Sequence, residues 1–307
     1  MRVIYGLGKK IKNLNRPYVA LGIFDGVHLG HQYILKAMLR QAKDADKNSV
    51  CVTFYPHPEK ILSSKNVFVH LISLEHRLKL IAGLGLDTCI IINFNRHFSE
   101  ISPGHFIELL KKKVNPAAVF VGNNFTFGRG GSGGINLLKV MAERYNFKLK
   151  AIAPLKLNRR VISSTFIRAL IKNGKLDLAK KYLGRNVSVL GRVVKGRRVG
   201  RKLGYHTANI DVGHEIIPPA GVYAVKTKIK NKKFNGAAYI GTSPTLHFGY
   251  RRPRLEVYIL NFHRNIYNRE VEIEFIKKIR QERQFPSLDL LSFQIKRDIT
   301  KARSILR

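Results

Sequence analysis

The chain predicts an α/β fold joined to a β fold. The first part is a doubly wound parallel sheet, and the second an antiparallel barrel closed by a terminal helix. Three observations carry this. Apolar strand-like runs alternate with helical patterns up to about residue 184, the signature of a parallel sheet with crossover helices. After Gly184-Arg185 the strand-like runs follow one another with only Gly, Asn and Lys turns between them, as in an antiparallel barrel. A glycine- and histidine-bearing turn, Gly22 to His31, stands where the first long strand hands over to a helix. At 307 residues the chain has length for two domains, and the change of pattern places them at 1–185 and 186–307.

In the first part, strand-like runs cover 19–24, 50–54, 88–92, 117–121 and 149–152. Helical spacing begins at His31 with Ile34, Leu35, Met38, Leu39 and Ala42. A second helix covers 74–82 behind Ser73, and a third covers 104–113, entered through Ser102-Pro103. Shorter helical stretches cover 164–172 and 176–183. In the second part, strands are expected at 187–194, 222–229, 234–240, 255–262 and 271–275. Ser287 then caps a helix that lines up Leu288, Leu291, Ile295, Ile299 and Ala302.

Lys and Arg number 56 against 19 Asp and Glu, a net charge of +37. Such charge suits polyanions, but it runs along the whole chain, so no specific nucleic-acid partner is expected. The two cysteines, Cys51 and Cys89, lie inside apolar runs at a spacing that fits no metal site. They read as buried thiols of a reducing cytoplasm. No run approaches the ~20 apolar residues of a membrane helix, and the first residues lack a signal-peptide core. No membrane partner is expected, and the chain is expected to act as a monomer or weak homo-oligomer.

His28 and His31 sit at a strand-to-helix handover, where open α/β sheets bind ligands and a helix N-terminus favours phosphate. Both imidazoles can donate to phosphate oxygens, and Gly30 lets a phosphate approach the backbone. Three further segments point to a nucleotide: 53–58, which closes a strand with Pro56 and Pro58; 121–128, followed by a glycine-rich loop; and Ser163, Ser164, Thr165 and Arg168 at a helix start. Hydroxyls, helix N-terminus and guanidinium together make a phosphate clamp. No covalent nucleophile with its base stands out. The chemistry read from these residues is nucleotidyl transfer, in which a substrate phosphate attacks the α-phosphorus of ATP and pyrophosphate leaves.

In the second part, Gly191, Gly196, Gly200 and Gly204 punctuate a basic stretch suited to phosphates, without P-loop spacing; a solvated basic hairpin is the competing reading. Thr207 and Asn209 offer oxygen ligands for Mg²⁺. Glu256 lies on a strand in a carboxylate-poor chain and can accept a hydroxyl proton during phosphoryl transfer. A surface strand glutamate paired to a lysine is the competing reading.

Eight segments in order resemble the bacterial bifunctional riboflavin kinase/FMN adenylyltransferase family: FDGVHLGHQ (24–32), VTFYPHP (52–58), VGNNFTFG (121–128), ISSTFIR (162–168), GRVVKGRRVGRKLGYHTAN (191–209), PPAGVYAV (218–225), YIGTSPT (239–245) and LEVYILNF (255–262). The resemblance implies a nucleotidyltransferase domain that turns ATP and FMN into FAD and pyrophosphate. It likewise implies a barrel kinase that turns ATP and riboflavin into FMN and ADP. The family's HxGH histidines fall on His28 and His31, with Gly22, Phe24, Asp25 and Gly30 beside ATP. Its SSTxxR segment falls on Ser163, Ser164, Thr165 and Arg168. Asn124 falls beside the flavin or ATP, and Phe54, Pro56 and Phe125 beside the flavin. Its metal-binding motif falls on Thr207 and Asn209, its phosphate glycines on Gly196 and Gly200, and its catalytic base on Glu256. Mg²⁺ and ATP are the implied cofactor and co-substrate. Two departures stand out: His206 replaces the proline usual before Thr207, and Tyr258 and Asn261 replace a histidine and an aspartate. Two alternatives remain: a monofunctional adenylyltransferase with a degenerate flavin-binding barrel, and a basic RNA-binding protein on a nucleotidyltransferase fold.

Overall fold

The computed structural model describes residues 1–8, 11, 14–63, 68–196, 204–242 and 253–307. The chain divides into two compact units. One comprises residues 1–70 with 74–164, the other residues 71–73 with 165–307.

The first unit is built on a six-stranded parallel sheet: β1 (Arg2–Tyr5), β2 (Tyr18–Leu21), β3 (Ser49–Tyr55), β4 (Thr88–Asn93), β5 (Ala118–Gly122) and β6 (Lys148–Ile152), in the spatial order β1-β4-β3-β2-β5-β6. The crossover helices are α1 (Leu29–Asp44), α2 (Pro58–Leu62), α3 (Leu74–Ala82), α4 (Arg96–Ser99), α5 (Pro103–Lys113) and α6 (Ile135–Arg144). Ser102 caps α5 by accepting from the His105 N–H, with Pro103 in the first turn, as its sequence predicts. β3 and β4 are buried apart from their last residues, as expected of strands covered on both faces. β2 has β3 on one side and β5 on the other. The order therefore reverses at β2, and the crevice at its carboxyl end is the place where such sheets bind ligands.

Sequence reading differs from the structure in three places here. β1 is too short to announce itself, and it exists through its pairing with β4. The strand expected at 19–24 ends at Leu21, because Phe24 takes φ +54° and turns the chain. A small hairpin, β7 (Lys156–Leu157) with β8 (Arg160–Val161), precedes the Ser163-Ser164 segment.

The second unit contains a closed six-stranded barrel, ordered β10-β13-β12-β11-β14-β9. Its strands are β9 (Val187–Val194), β10 (Thr207–Asp211), β11 (Gly221–Ile229), β12 (Lys232–Thr242), β13 (Pro253–Ile259) and β14 (Glu270–Arg280), and they pair antiparallel. Val189, Val193, Val225, Leu255, Val257 and Ile273 are among its buried side chains. β10 was not expected as a strand, because its polar Thr207 and Asn209 hide the alternation. Helices α7 (Ser164–Lys172) and α8 (Leu176–Leu183) lead into the barrel, and Ala179, Tyr182 and Leu183 are buried. The last helix, α9 (Leu288–Leu306), is capped by Ser287. It seals Ala302 and Leu306 against Ala224 and Ala237.

Candidate functional site

The β2–α1 turn is held at nearly every carbonyl. Thr53 Oγ1 donates to the Ile23 carbonyl at 2.8 Å, and Arg77 Nη1 donates to the same oxygen. The Phe24 carbonyl accepts from the Val27 N–H. The Asp25 carbonyl accepts from Ser164 Oγ at 2.8 Å, and the Val27 carbonyl from Gln32 Nε2 at 2.9 Å. The bonds are needed because Phe24 and Val27 sit at φ +54° and +39°, conformations poor for a bulky or β-branched residue. Such strain is on the order of 1–3 kcal/mol per residue. Hydrogen bonds contribute about 1 kcal/mol each, and roughly 1.5–3 when one partner is charged, so the set outweighs the strain.

This held turn places His28 at the N-cap of α1, where its Nδ1 accepts from the His31 N–H at 3.2 Å. The two imidazoles stack with centroids 3.5 Å apart and planes 17° from parallel. The Phe24 ring meets His31 edge-on at 5.4 Å, and the space above Gly22 is filled by that phenyl ring. Because His28 Nδ1 accepts a hydrogen bond, its neutral form carries the proton on Nε2.

Gly30 lies close to the His28 ring. A Cβ there would lie 3.2 Å from Cε1 and Nδ1 of His28. The His28 imidazole lies against the space that the missing side chain leaves.

Asn124 curls over the end of β5: a Cβ on Gly122 would lie 3.0 Å from its Oδ1 and 3.7 Å from Cδ1 of Ile34 on α1. Phe125 stacks on Phe127 at 5.6 Å. Phe54 packs against Phe94, Phe98 and Phe106, with centroids 6.1–6.3 Å apart, and Phe106 against Phe127 at 5.8 Å. Phe54 and Phe125 thus belong to one aromatic wall at the carboxyl ends of β3 and β5 together with Phe94, Phe98, Phe106 and Phe127, and Phe54, Phe106 and Phe127 are buried in the core. The Tyr55-Pro56 peptide bond is cis. Ser163 is half-buried, and Ser164 opens α7. From Thr165 onward, Arg168 included, that helix is counted with the second unit.

Arg77 was missed by sequence reading, although Leu74, Arg77 and Ile81 follow helical spacing and share the buried side of α3. A charged residue on an apolar stripe is the available signal. Burial pulls the Arg77 guanidinium below its ordinary value, and Asp25 opposes this. Cys51 and Cys89 are buried free thiols paired across β3 and β4. Burial, and next a hydrogen bond with Cys89, push the Cys51 thiol up.

On the barrel, β10 and β13 pair Asn209 opposite Glu256 and Thr207 opposite Tyr258. Alternation sets these residues on the outer face, while Leu255 and Val257 point inward. Thr207 Oγ1 lies 3.5 Å from Glu256 Oε2, and Arg254 Nη1 lies 3.2 Å from Glu256 Oε1. Both carboxylate oxygens are therefore engaged. Tyr239 lies opposite Glu256 on β12 and donates its hydroxyl to Glu282. Burial, and then that hydrogen bond, raise its phenol well above the ordinary range.

A cavity of about 410 Å³ opens beside Thr207 and Asn209. It is also lined by His206, Gly196, His263 and Arg264. A Cβ on Gly196 would lie 2.1 Å from Asn209 Nδ2, so glycine is required for the amide to sit there. Gly200 lies outside the described residues. The two departures have places: Tyr258 meets Tyr205 edge-on at 5.8 Å, and Asn261 takes φ +54°, a conformation in which Asn is enriched.

These features define a nucleotidyltransferase-type α/β unit and a kinase-type barrel on one chain. The comparisons agree unit by unit: residues 10–166 match the family model of FAD synthetase, and residues 183–306 that of riboflavin kinase. The chain belongs to the bifunctional riboflavin kinase/FMN adenylyltransferase family. A relative so named in Buchnera aphidicola subsp. Schizaphis graminum is 39% identical, covering 97% of both chains. Those of Bacillus subtilis and Escherichia coli K12 are 34% and 33% identical, covering 94% and 93% of this chain and 92% and 91% of their own. A solved Streptococcus pneumoniae structure, described as a macrolide-efflux protein, superposes with a TM-score of 0.83 at 28% identity, covering 97% of both chains. Among the described residues here, no helix is long and apolar enough to cross a membrane.

Proposed function

We propose that the chain carries out both reactions named for its relatives, at two separate sites. It adenylylates FMN at the carboxyl end of the parallel sheet and phosphorylates riboflavin on the barrel. The observation that carries the reading is that both motif sets form local sites: a stacked histidine pair capping α1, and Asn209 opposite Glu256 across a strand pair.

In the first site, an FMN phosphate oxygen attacks the α-phosphorus of ATP, and the bond to pyrophosphate breaks. His28 Nε2–H and His31 act as donors toward the phosphate oxygens, and the α1 N-terminus adds its positive end. Charge stabilisation by pre-placed donors is the main catalytic effect, which is why the turn is held so firmly. The aromatic wall with Phe54 and Phe125 supplies apolar surface for the flavin, with Asn124 at its edge. The assignment of Thr165 and Arg168 to ATP rests on the motif.

In the second site, Glu256 accepts the proton of the riboflavin hydroxyl as that oxygen attacks the γ-phosphorus of ATP and ADP leaves. Arg254 and Thr207 orient the carboxylate. The cavity beside Thr207 and Asn209, with His206, His263 and Arg264 in its lining, suits phosphates. Thr207 Oγ1 and Asn209 Oδ1 are hard oxygen donors, and Mg²⁺ takes few protein oxygens alongside phosphates and water, so the donor set fits it. When bound, magnesium would neutralise phosphate charge there.

A cytoplasmic location and small-molecule partners alone, with the chain acting as a monomer or weak homo-oligomer, complete the proposal. The buried free thiols support the location.

Incubation with riboflavin, ATP and Mg²⁺, followed by separation of the flavins, tests this. FMN followed by FAD is expected. FAD formed only from supplied FMN would remove the kinase assignment. Neither product, together with salt-sensitive RNA binding, would overturn the whole reading.

A further inference from the structure

We propose that Arg77 is a positioning residue for adenylyl transfer, holding the turn that carries His28 against the end of β3. The proposal rests on the adenylylation reading of the first site.

The geometry is a closed triangle. Arg77 Nη1 donates to the Ile23 carbonyl on the β2–α1 turn. It also donates to Thr53 Oγ1 at 3.0 Å and to the Phe54 carbonyl at 3.3 Å, both on β3. Thr53 Oγ1 in turn donates to the same Ile23 carbonyl. Arg77 thus bridges the two chain segments that flank the crevice. One leads into the histidine pair, and the other ends in the aromatic wall and Pro56.

Arg77 is 1% exposed. It is not placed to touch a substrate, so its influence must pass through the groups it holds. Stability alone does not explain it, because a buried ion is often matched or bettered by an apolar residue of similar volume. Its neighbours on the buried side of α3, Leu74 and Ile81, show the packing that such a residue would join. What an apolar residue cannot supply is a hydrogen bond to Ile23, the residue preceding the positive-φ Phe24. The Asp25 carboxylate, in a residue 2% exposed on the same turn, favours the charged form of Arg77. The charge is therefore held by the turn that it positions. A guanidinium fixes the directions of its N–H bonds, whereas an ammonium on a flexible stem does not.

The test uses full-length R77M, R77K and T53V beside the wild type, each assayed for FAD formation from FMN and for riboflavin phosphorylation. R77M keeps the length and loses the donors. Its kcat for FAD formation is expected to fall roughly 10- to 100-fold, the scale of a displaced reacting group. KM for ATP should move far less, and riboflavin phosphorylation should persist. R77K should recover part of the loss. The T53V/R77M pair should fall little below R77M, because both side chains act on one carbonyl. Wild-type kcat in R77M, or a loss confined to KM or to thermal midpoint, would overturn the proposal. Should R77M fail to fold, unchanged kcat in both R77K and T53V overturns it equally. If the wild type itself forms no FAD, the adenylylation reading falls and takes this proposal with it; if the wild type forms FAD and the variants match it, only the role of Arg77 falls.

Discussion

His31 donates its backbone N–H to Nδ1 of His28 at 3.2 Å while the two rings lie stacked at 3.5 Å. One imidazole therefore does two things. It caps the first turn of α1, and it lies against the ring of His31. The chain uses a histidine where Ser, Thr, Asp or Asn is the common cap.

The two roles of His28 are separable. His28→Ala should lower FAD formation at least ~10²-fold, the scale for losing a placed transition-state donor. It should also lower stability by about 1 kcal/mol through the lost cap. His28→Asn restores a capping side chain without the imidazole, so the thermal midpoint should recover while FAD formation does not. His31→Ala should lose FAD formation on the same scale, and riboflavin phosphorylation should survive in all three. A His28→Asn variant with wild-type FAD formation would show that capping was the whole contribution.

Glu256→Gln isolates the other reaction. Glutamine keeps an oxygen for Arg254 and Thr207 to meet, so the strand pairing should stand, but it is no longer a base. FMN formation from riboflavin should fall by roughly 10²-fold or more, the lower end for losing a general base, while supplied FMN is still adenylylated. Flavin chromatography after each substrate gives both readings, and normal riboflavin phosphorylation would remove Glu256 from the proton transfer.

Gly196→Ala tests the amide of Asn209 without touching it. The added Cβ would overlap Nδ2 at 2.1 Å, so Asn209 must leave its position beside Thr207. Riboflavin phosphorylation should drop, with weaker nucleotide binding measured by calorimetry, and FAD formation from FMN should be unchanged. Full kinase activity would mean that Asn209 does not need this position.

Fragments test how the barrel is completed. Residues 186–307 contain every barrel strand and are expected to phosphorylate riboflavin alone. They omit α8, whose Ala179, Tyr182 and Leu183 are buried. A fragment from Thr165 should therefore unfold at a higher temperature than one from Asn186, since losing several buried side chains of this kind removes about 1.5–3 kcal/mol for each large one. Equal thermal midpoints would show that the two helices add no stability to the barrel.

Much was legible in the sequence because it is local. Period-two and helical spacing, the Ser102-Pro103 and Ser287 helix starts, and the strand-to-helix handover at His28 depend on residues close in the chain. The motif residues were legible in the same way, and the structure finds His28 with His31, and Thr207 and Asn209 with Glu256, in contact or in register. The neighbour of Gly30 was not legible, because the imidazole beside it is a side chain whose direction only the folded turn sets.

Patterns along the chain carry the two kinds of fold, their order, and the residue types of each candidate site. Tertiary structure decided which groups face one another. β10 is a strand because β9 and β13 pair with it, and only that closure sets Asn209 against Glu256. β1 exists because β4 offers it an edge. Arg77 reaches Ile23 and Thr53 only once α3 packs on the sheet. Spacing along a chain fixes which face a side chain takes within one element. The partner across an interface is chosen by packing and hydrogen-bond satisfaction between elements far apart in sequence, and no local pattern carries that information.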